Sequence, residues 1–217
     1  MKTLHYFALA AILSLAAPQL RASEQDQVNQ AATTIKEFKA LPEKSIPPYV
    51  LRDAKGLAII TVVKGGFVFS GKVGQGVVVA RTKDGGWSGP SFVKTGGAGF
   101  GAQIGGEMTQ FVVILNTRDA VKAFAQGGNV QLGGALSVAA GPVGRTAAGD
   151  VTVKAAVYTY SRSKGLFAGA SLEGAVLVTD KTANEDYYGK SASAPSILNG
   201  KVAPPQGASV LLHSLGH

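Results

Sequence analysis

Ser171 sits in Gly169-Ala170-Ser171-Leu172-Glu173-Gly174, a small-residue setting in which a serine could serve as an acyl-transfer nucleophile. A nucleophile elbow needs glycine two positions after the serine, and Glu173 occupies that place. Beyond residue 22 the histidines are His213 and His217, both in the C-terminal tail, so a general base would have to come from a terminus. Gly97-Ala98-Gly99-Phe100-Gly101-Ala102 fits the glycine fingerprint of dinucleotide binding, but that chemistry also needs a helix starting inside the motif. Gly105-Gly106 would interrupt such a helix, and although Asp119 lies near the expected distance, no strand-helix-strand alternation surrounds it; a packed glycine-rich strand or loop is the better account. Without cysteine, only oxygen ligands remain in any number for a metal. Asp180, Glu185 and Asp186 lie close together but lack the spacing and central glycine of a calcium loop. The expectation is a non-enzymatic protein with no cofactor and no metal site.

Basic side chains offer a different chemistry. Arg145, Arg162 and Lys164 lie beside or near glycines. A guanidinium can fork onto phosphate oxygens while glycine amides approach the same anion, so these residues are candidates for a lipid-headgroup contact. The alternative for the two arginines is pairing with Glu107, Glu173 or backbone carbonyls to hold loops in place. A second set, Lys36, Lys39 and Lys44, accompanies the clearest helical pattern. Across Glu24 to Leu41, residues Val28, Ala31, Ala32, Ile35, Phe38 and Leu41 recur at helical spacing, and Pro42 ends the run. Val28, Ile35 and Phe38 are candidates for a face that enters a membrane surface; the alternative is a helix packed over one end of a sheet.

The elements that must position these residues are mostly strands. Leu57–Val63, Val77–Arg81, Trp87–Lys94, Gln110–Leu115, Asn129–Val138 and Val151–Tyr160 read as strands, with Thr82-Lys83-Asp84-Gly85-Gly86 turning one hairpin. In the last of these strands Val151, Val153, Ala155 and Val157 alternate with Thr152, Lys154 and Tyr158, which predicts one buried and one more polar face. Thr117–Gln126 is the internal helix, capped by Asn116 or Thr117, and Pro48–Ala54 and Thr182–Tyr188 read as short helices. Residues 191–205 form a Ser/Ala/Pro-rich strap, and Gly207–Leu215 fits a terminal helix or strand. The fold class expected is α+β: a mainly antiparallel β-sheet, closed or sandwich-like, with an N-terminal amphipathic helix and short helices at its ends. Residues 23–217 suit one domain, with residues 181–217 as its C-terminal strap.

One unit occurs twice. Phe69-Ser70-Gly71-Lys72-Val73-Gly74-Gln75-Gly76 and Phe167-Ala168-Gly169-Ala170-Ser171-Leu172-Glu173-Gly174 share an aromatic, a small residue, a glycine, three variable positions, then Gln or Glu and Gly, each before an aliphatic run. The second copy, preceded by Ser161-Arg162-Ser163-Lys164-Gly165-Leu166, resembles the signature of the SYLF domain family. Three further segments resemble the same family in the same order: Gly97 to Glu107, Ser137-Val138-Ala139-Ala140-Gly141-Pro142-Val143-Gly144-Arg145, and Asn184-Glu185-Asp186-Tyr187-Tyr188-Gly189. The resemblance covers roughly Glu24 to Leu215. It implies a non-enzymatic module that binds membrane lipids, with phosphoinositides as ligands of eukaryotic relatives, some of which also bind actin.

Residues 1–22 read as a secretory leader: a basic start at Lys2, a mostly apolar run from Phe7 to Ala17, and small residues before a cut after Ala22. The expected location is therefore exported and periplasmic, with peripheral membrane association. The chain carries 21 Lys and Arg residues against 13 Asp and Glu, a net charge of +8; loss of Lys2 and Arg21 with the leader leaves +6. That excess suits anionic lipids and other anionic polymers. Export, and the absence of a concentrated Lys/Arg run with interleaved aromatics, argue against nucleic acid. The function expected is binding of anionic membrane lipid headgroups. The alternative is a cell-envelope scaffold that pairs with another protein or with itself.

Overall fold

The computed structural model describes residues 23–41, 46–126, 129–132, 136–141, 155–165, 175–189 and 191–216. The leader expected over residues 1–22, Lys44, Arg145 and Ser171 lie outside the described residues.

Helix α1 spans Glu24–Ala40 and starts from a capping box, in which the Asp26 amide donates to Ser23 Oγ at 3.1 Å and the Ser23 amide donates to Asp26 Oδ2 at 3.2 Å. It stops at Leu41, extended at φ −69 and ψ 121, as the residue before a proline is driven out of the helical region. A short helix α2, Pro48–Asp53, follows with its proline in the first turn.

The sheet is built on two strands of 25 residues each, β1 (Gly56–Ala80) and β2 (Ser91–Leu115). They form one antiparallel hairpin, in register from Gly56↔Leu115 to Val78↔Ser91 with one irregularity between Phe67 and Phe69, and the expected Asp84-Gly85 turn closes it with Gly85 at φ +87. The sequence suggests two separate strands on each side of the turn; the glycine-rich stretches between them stay in the ladder instead. Glycine is a weak strand former, but a paired neighbour satisfies its amide and carbonyl along the whole length. The two limbs of β1 then come together. A Cβ at Gly76 would run into the carbonyl oxygen of Ile59, so this close backbone approach requires glycine.

Helix α3, Arg118–Ala125, follows β2, capped by Thr117, whose Oγ1 accepts from the Ala120 amide at 3.1 Å. The remaining strands are β3 (Asn129–Gln131), β4 (Val138–Ala140), β5 (Val157–Gly165) and β6 (Val176–Thr179). The order is β3-β6-β2-β5-β4, with β1 against β2; every pairing is antiparallel except β4 with β5. The length of β2 lets it serve two neighbours, β6 at Val93–Lys94 and β5 at Glu107–Leu115. Helices α4 (Lys181–Tyr188), α5 (Ala194–Leu198) and α6 (Ser209–Leu215) complete the chain. The α+β class expected from the sequence is what forms.

Both faces of the sheet are covered. Leu57, Ile59, Val77, Val79, Val112 and Ile114 pack with α1, α2 and α6, whereas Ala58, Ile60, Val78, Phe111, Val113 and Leu115 pack with α3 and α5. Of the alternation read over residues 151–160, residues 151–154 lie outside the described residues; Ala155 and Val157 are buried, Tyr158 is half-buried, and Tyr160, 5% exposed, enters the core on the α1 face.

Candidate functional site

On the α1 face of β1, the core residues Leu57 and Ile59 are followed by Thr61 and Val63 at the period-two spacing of a strand. The face continues past the first turns of α1 and loses its cover. Val63 is 44% exposed, its cross-strand partner Met108 43%, and Val73 on the other limb of β1 67%. Together with Ile59 and Ala31 these side chains wall an open groove of about 370 Å³, margined by Asp26, Gln27 and Gln30 of α1 and by Thr61 and Gln75. Four large apolar side chains are exposed among the described residues, and three line this groove. The sequence reading did not single out Val63, Val73 or Met108. Their signal was the continuation of an apolar alternation into glycine-rich sequence.

Further along α1 the contacts with the sheet become polar. Gln110, 2% exposed, donates to Thr34 Oγ1 at 3.0 Å. Arg162 Nη1 then meets Glu37 Oε2 at 3.0 Å in an ion contact whose side chains are each about a third exposed. The arginine thus pairs with an acid on α1, Glu37; Glu173 lies outside the described residues. Lys164 is the backbone partner of Met108 in β5. Lys36 is exposed. Lys39 has a structural partner: its Nζ donates to the Ser214 and Leu215 carbonyls at 2.7 and 3.3 Å, the free carbonyl end of α6, and partial burial lowers its pKa. Of the basic candidates among the described residues, Lys36, Lys39 and Arg162 therefore have separate surroundings, and the strand that carries Arg162 and Lys164 pairs with β2 at Met108.

Val28, Ile35 and Phe38 require correction as membrane-facing candidates. They are 0%, 1% and 2% exposed and belong to the core under the sheet, so an apolar stripe at helical spacing here marks the docked side of α1. The segment from Gly97 to Ala102 is strand rather than the helix start a dinucleotide site needs. Asp180 caps α4, accepting from the Ala183 amide at 3.3 Å, and contacts Lys94 at 3.3 Å. Buried Glu107, 7% exposed, accepts from Thr109 Oγ1 at 2.9 Å.

The segment Asn184 to Gly189 has an architectural task. Asn184 is fully buried; its Oδ1 accepts from the Phe92 amide at 2.9 Å and its Nδ2 donates to Ser91 Oγ at 3.4 Å. Tyr187 packs edge-on against Phe92 with centroids 5.1 Å apart, and the Tyr188 hydroxyl donates to the Pro90 carbonyl at 3.0 Å. Helix α4 is thereby tied to the start of β2. Burial pushes the Tyr187 hydroxyl up to about 12.

The family model described as "Ysc84: Las17-binding protein actin regulator" matches residues 96–217. LAS seventeen-binding protein 3 of Saccharomyces cerevisiae is 50% identical over 177 residues, which cover 80% of this chain and 39% of that protein. SH3 domain-containing YSC84-like protein 1 of Xenopus laevis is 44% identical over 199 residues, 88% of this chain and 59% of the relative; its Homo sapiens counterpart is 44% identical over 198 residues, 88% and 58%. The chain thus spans 39% to 59% of the length of these relatives. Motif order, fold and comparison agree: the chain belongs to the Ysc84, or SYLF, family.

Proposed function

We propose that this chain is a non-enzymatic, exported module that binds anionic membrane lipids reversibly at the groove beside the N-terminal turns of α1. The observation carrying the reading is the exposed trio Val63, Val73 and Met108 around that groove, with Arg162 and Lys164 on the strand beside Met108. Apolar side chains left in water favour burial in another apolar phase. Basic residues near an anionic surface each contribute about 1 kcal/mol, weakened by salt. The leader-like composition of residues 1–22 supports export to the periplasm. Co-sedimentation with neutral and anionic vesicles across a salt series tests the reading: salt-sensitive binding to anionic vesicles is expected, and no binding at low salt overturns it.

A second reading is a protein partner, favoured by the printed names of relatives, one of them a LAS seventeen-binding protein. In an exported chain that partner would be another envelope component, with the chain as scaffold. Its test is mixing without lipid: a salt-resistant complex of defined size with an envelope protein supports it.

A further inference from the structure

We infer that the groove takes the hydrocarbon tail of a single amphiphile, leaving the polar head outside. This rests on the lipid reading above and deepens it, from attraction to a charged surface to capture of one chain.

The chemistry of the walls divides the two parts of such a ligand. Among the described residues the lining contains no lysine and no arginine, and its one ionisable group is the carboxylate of Asp26. That carboxylate already accepts from the Ser23 amide and hydroxyl, at 3.2 and 2.8 Å. A phosphate placed inside would find an acid and no cation, so the groove rejects an anionic head. The floor, Ile59, Val63, Val73 and Met108, offers apolar surface instead, and Met108 is a side chain able to adjust to a flexible chain. A peptide is the poorer occupant, because it brings a backbone donor and acceptor at nearly every residue. The polar side chains of the lining, Asp26, Gln27, Gln30, Thr61 and Gln75, are too few to serve a peptide backbone, whereas a hydrocarbon needs no partners. The volume, about 370 Å³, lies at the small end of the roughly 300–1,000 Å³ range of small-molecule sites and suits one chain. A head held at the mouth would lie near β5, where Lys164 is the partner of Met108 and Arg162 is two residues away.

The test uses the purified full chain and a series of uncharged alkyl glucosides of increasing chain length, each below its micelle concentration, followed by calorimetry. Saturable one-to-one binding is expected, tightening by about fourfold for each added CH₂ until the groove is filled and then levelling off. Val73→Asp and Met108→Asp, both at exposed positions, should weaken binding of the longest glucoside by at least about tenfold, while circular dichroism and melting stay those of the parent. The inference is overturned if binding does not saturate, if affinity keeps rising without a plateau, or if both folded variants bind as the parent does. Anionic vesicle binding that persists without glucoside binding removes the tail groove and leaves the surface reading standing. Loss of both removes both.

Discussion

One strand pair behaves in two ways along its length. Near Gly56–Ile60 and Val77–Ala80, β1 and β2 are covered by helices on both faces, and every apolar side chain there is at most 3% exposed. At Val63, Val73 and Met108, on the same strands and with the same period-two alternation, exposure rises to 43–67%. Residue type alone does not account for the difference, since the apolar alternation continues through Val63 and Val73 even as the strands enter glycine-rich sequence. What separates them is the reach of α1, whose buried stripe from Val28 to Phe38 covers one part of the sheet and leaves the other to form a groove. The closed region should therefore hold the stability, and the open one the capacity to bind.

The largest effect is expected where α1 closes the core. Phe38→Ala removes a side chain that is 2% exposed and should cost about 3–5 kcal/mol in urea unfolding, the usual range for a buried aromatic truncated to alanine. A loss below about 1 kcal/mol would mean that α1 does not close this part of the sheet.

At the β2 end, Asn184→Ala leaves the Phe92 amide without its side-chain acceptor in a buried setting. The expected loss is about 1–3 kcal/mol. The adjoining Tyr187 gives this region a pH signature. In the unfolded chain its hydroxyl ionises near pH 10, whereas burial holds it protonated in the fold up to about pH 12. Its contribution is complete below pH 10 and is lost as pH rises from 10 toward about 12, because the unfolded state ionises first. Tyr188 and Tyr160 shift in the same direction, each chiefly through burial, so they add to the decline. Urea unfolding across that window should show it, and Tyr187→Phe should reduce its slope; a parent stability unchanged from pH 10 to about 12 would contradict the burial of these rings.

The closed region was largely legible in the sequence, and the open one was not. The spacing of Val28, Ala31, Ile35 and Phe38, the Asp-Gly turn and the Thr117 cap are local signals, and each produced the element expected. The stripe on α1 left two readings, insertion or docking, because helical periodicity defines an apolar face without naming what covers it. Nor did Val63 and Met108 announce themselves, because their exposure depends on where α1 ends over a strand more than twenty residues away. Arg162 illustrates the same limit: pairing was foreseeable, but Glu37 becomes its partner only when α1 crosses β5. The motif at Asn184–Gly189 resembled a family signature, and its buried asparagine shows that a signature can record a packing joint as readily as a binding site.

The smallest effect on stability, and the sharpest test of the contrast, belongs to Val73. A charge introduced into the closed core would be ruinous, since a buried carboxylate without a partner is strongly disfavoured. At Val73, already 67% exposed, aspartate keeps its hydration, and Val73→Asp should change the unfolding free energy by no more than about 0.5 kcal/mol. The same substitution adds a negative charge to a groove whose described lining has no cation, so it should weaken any apolar or anionic ligand far more than it weakens the fold. Urea unfolding and vesicle co-sedimentation on one preparation separate the two effects. A cost of several kcal/mol would show that the groove wall belongs to the packed interior after all, and the distinction between a closed and an open part of the β1–β2 pair would fail at the residue that defines it.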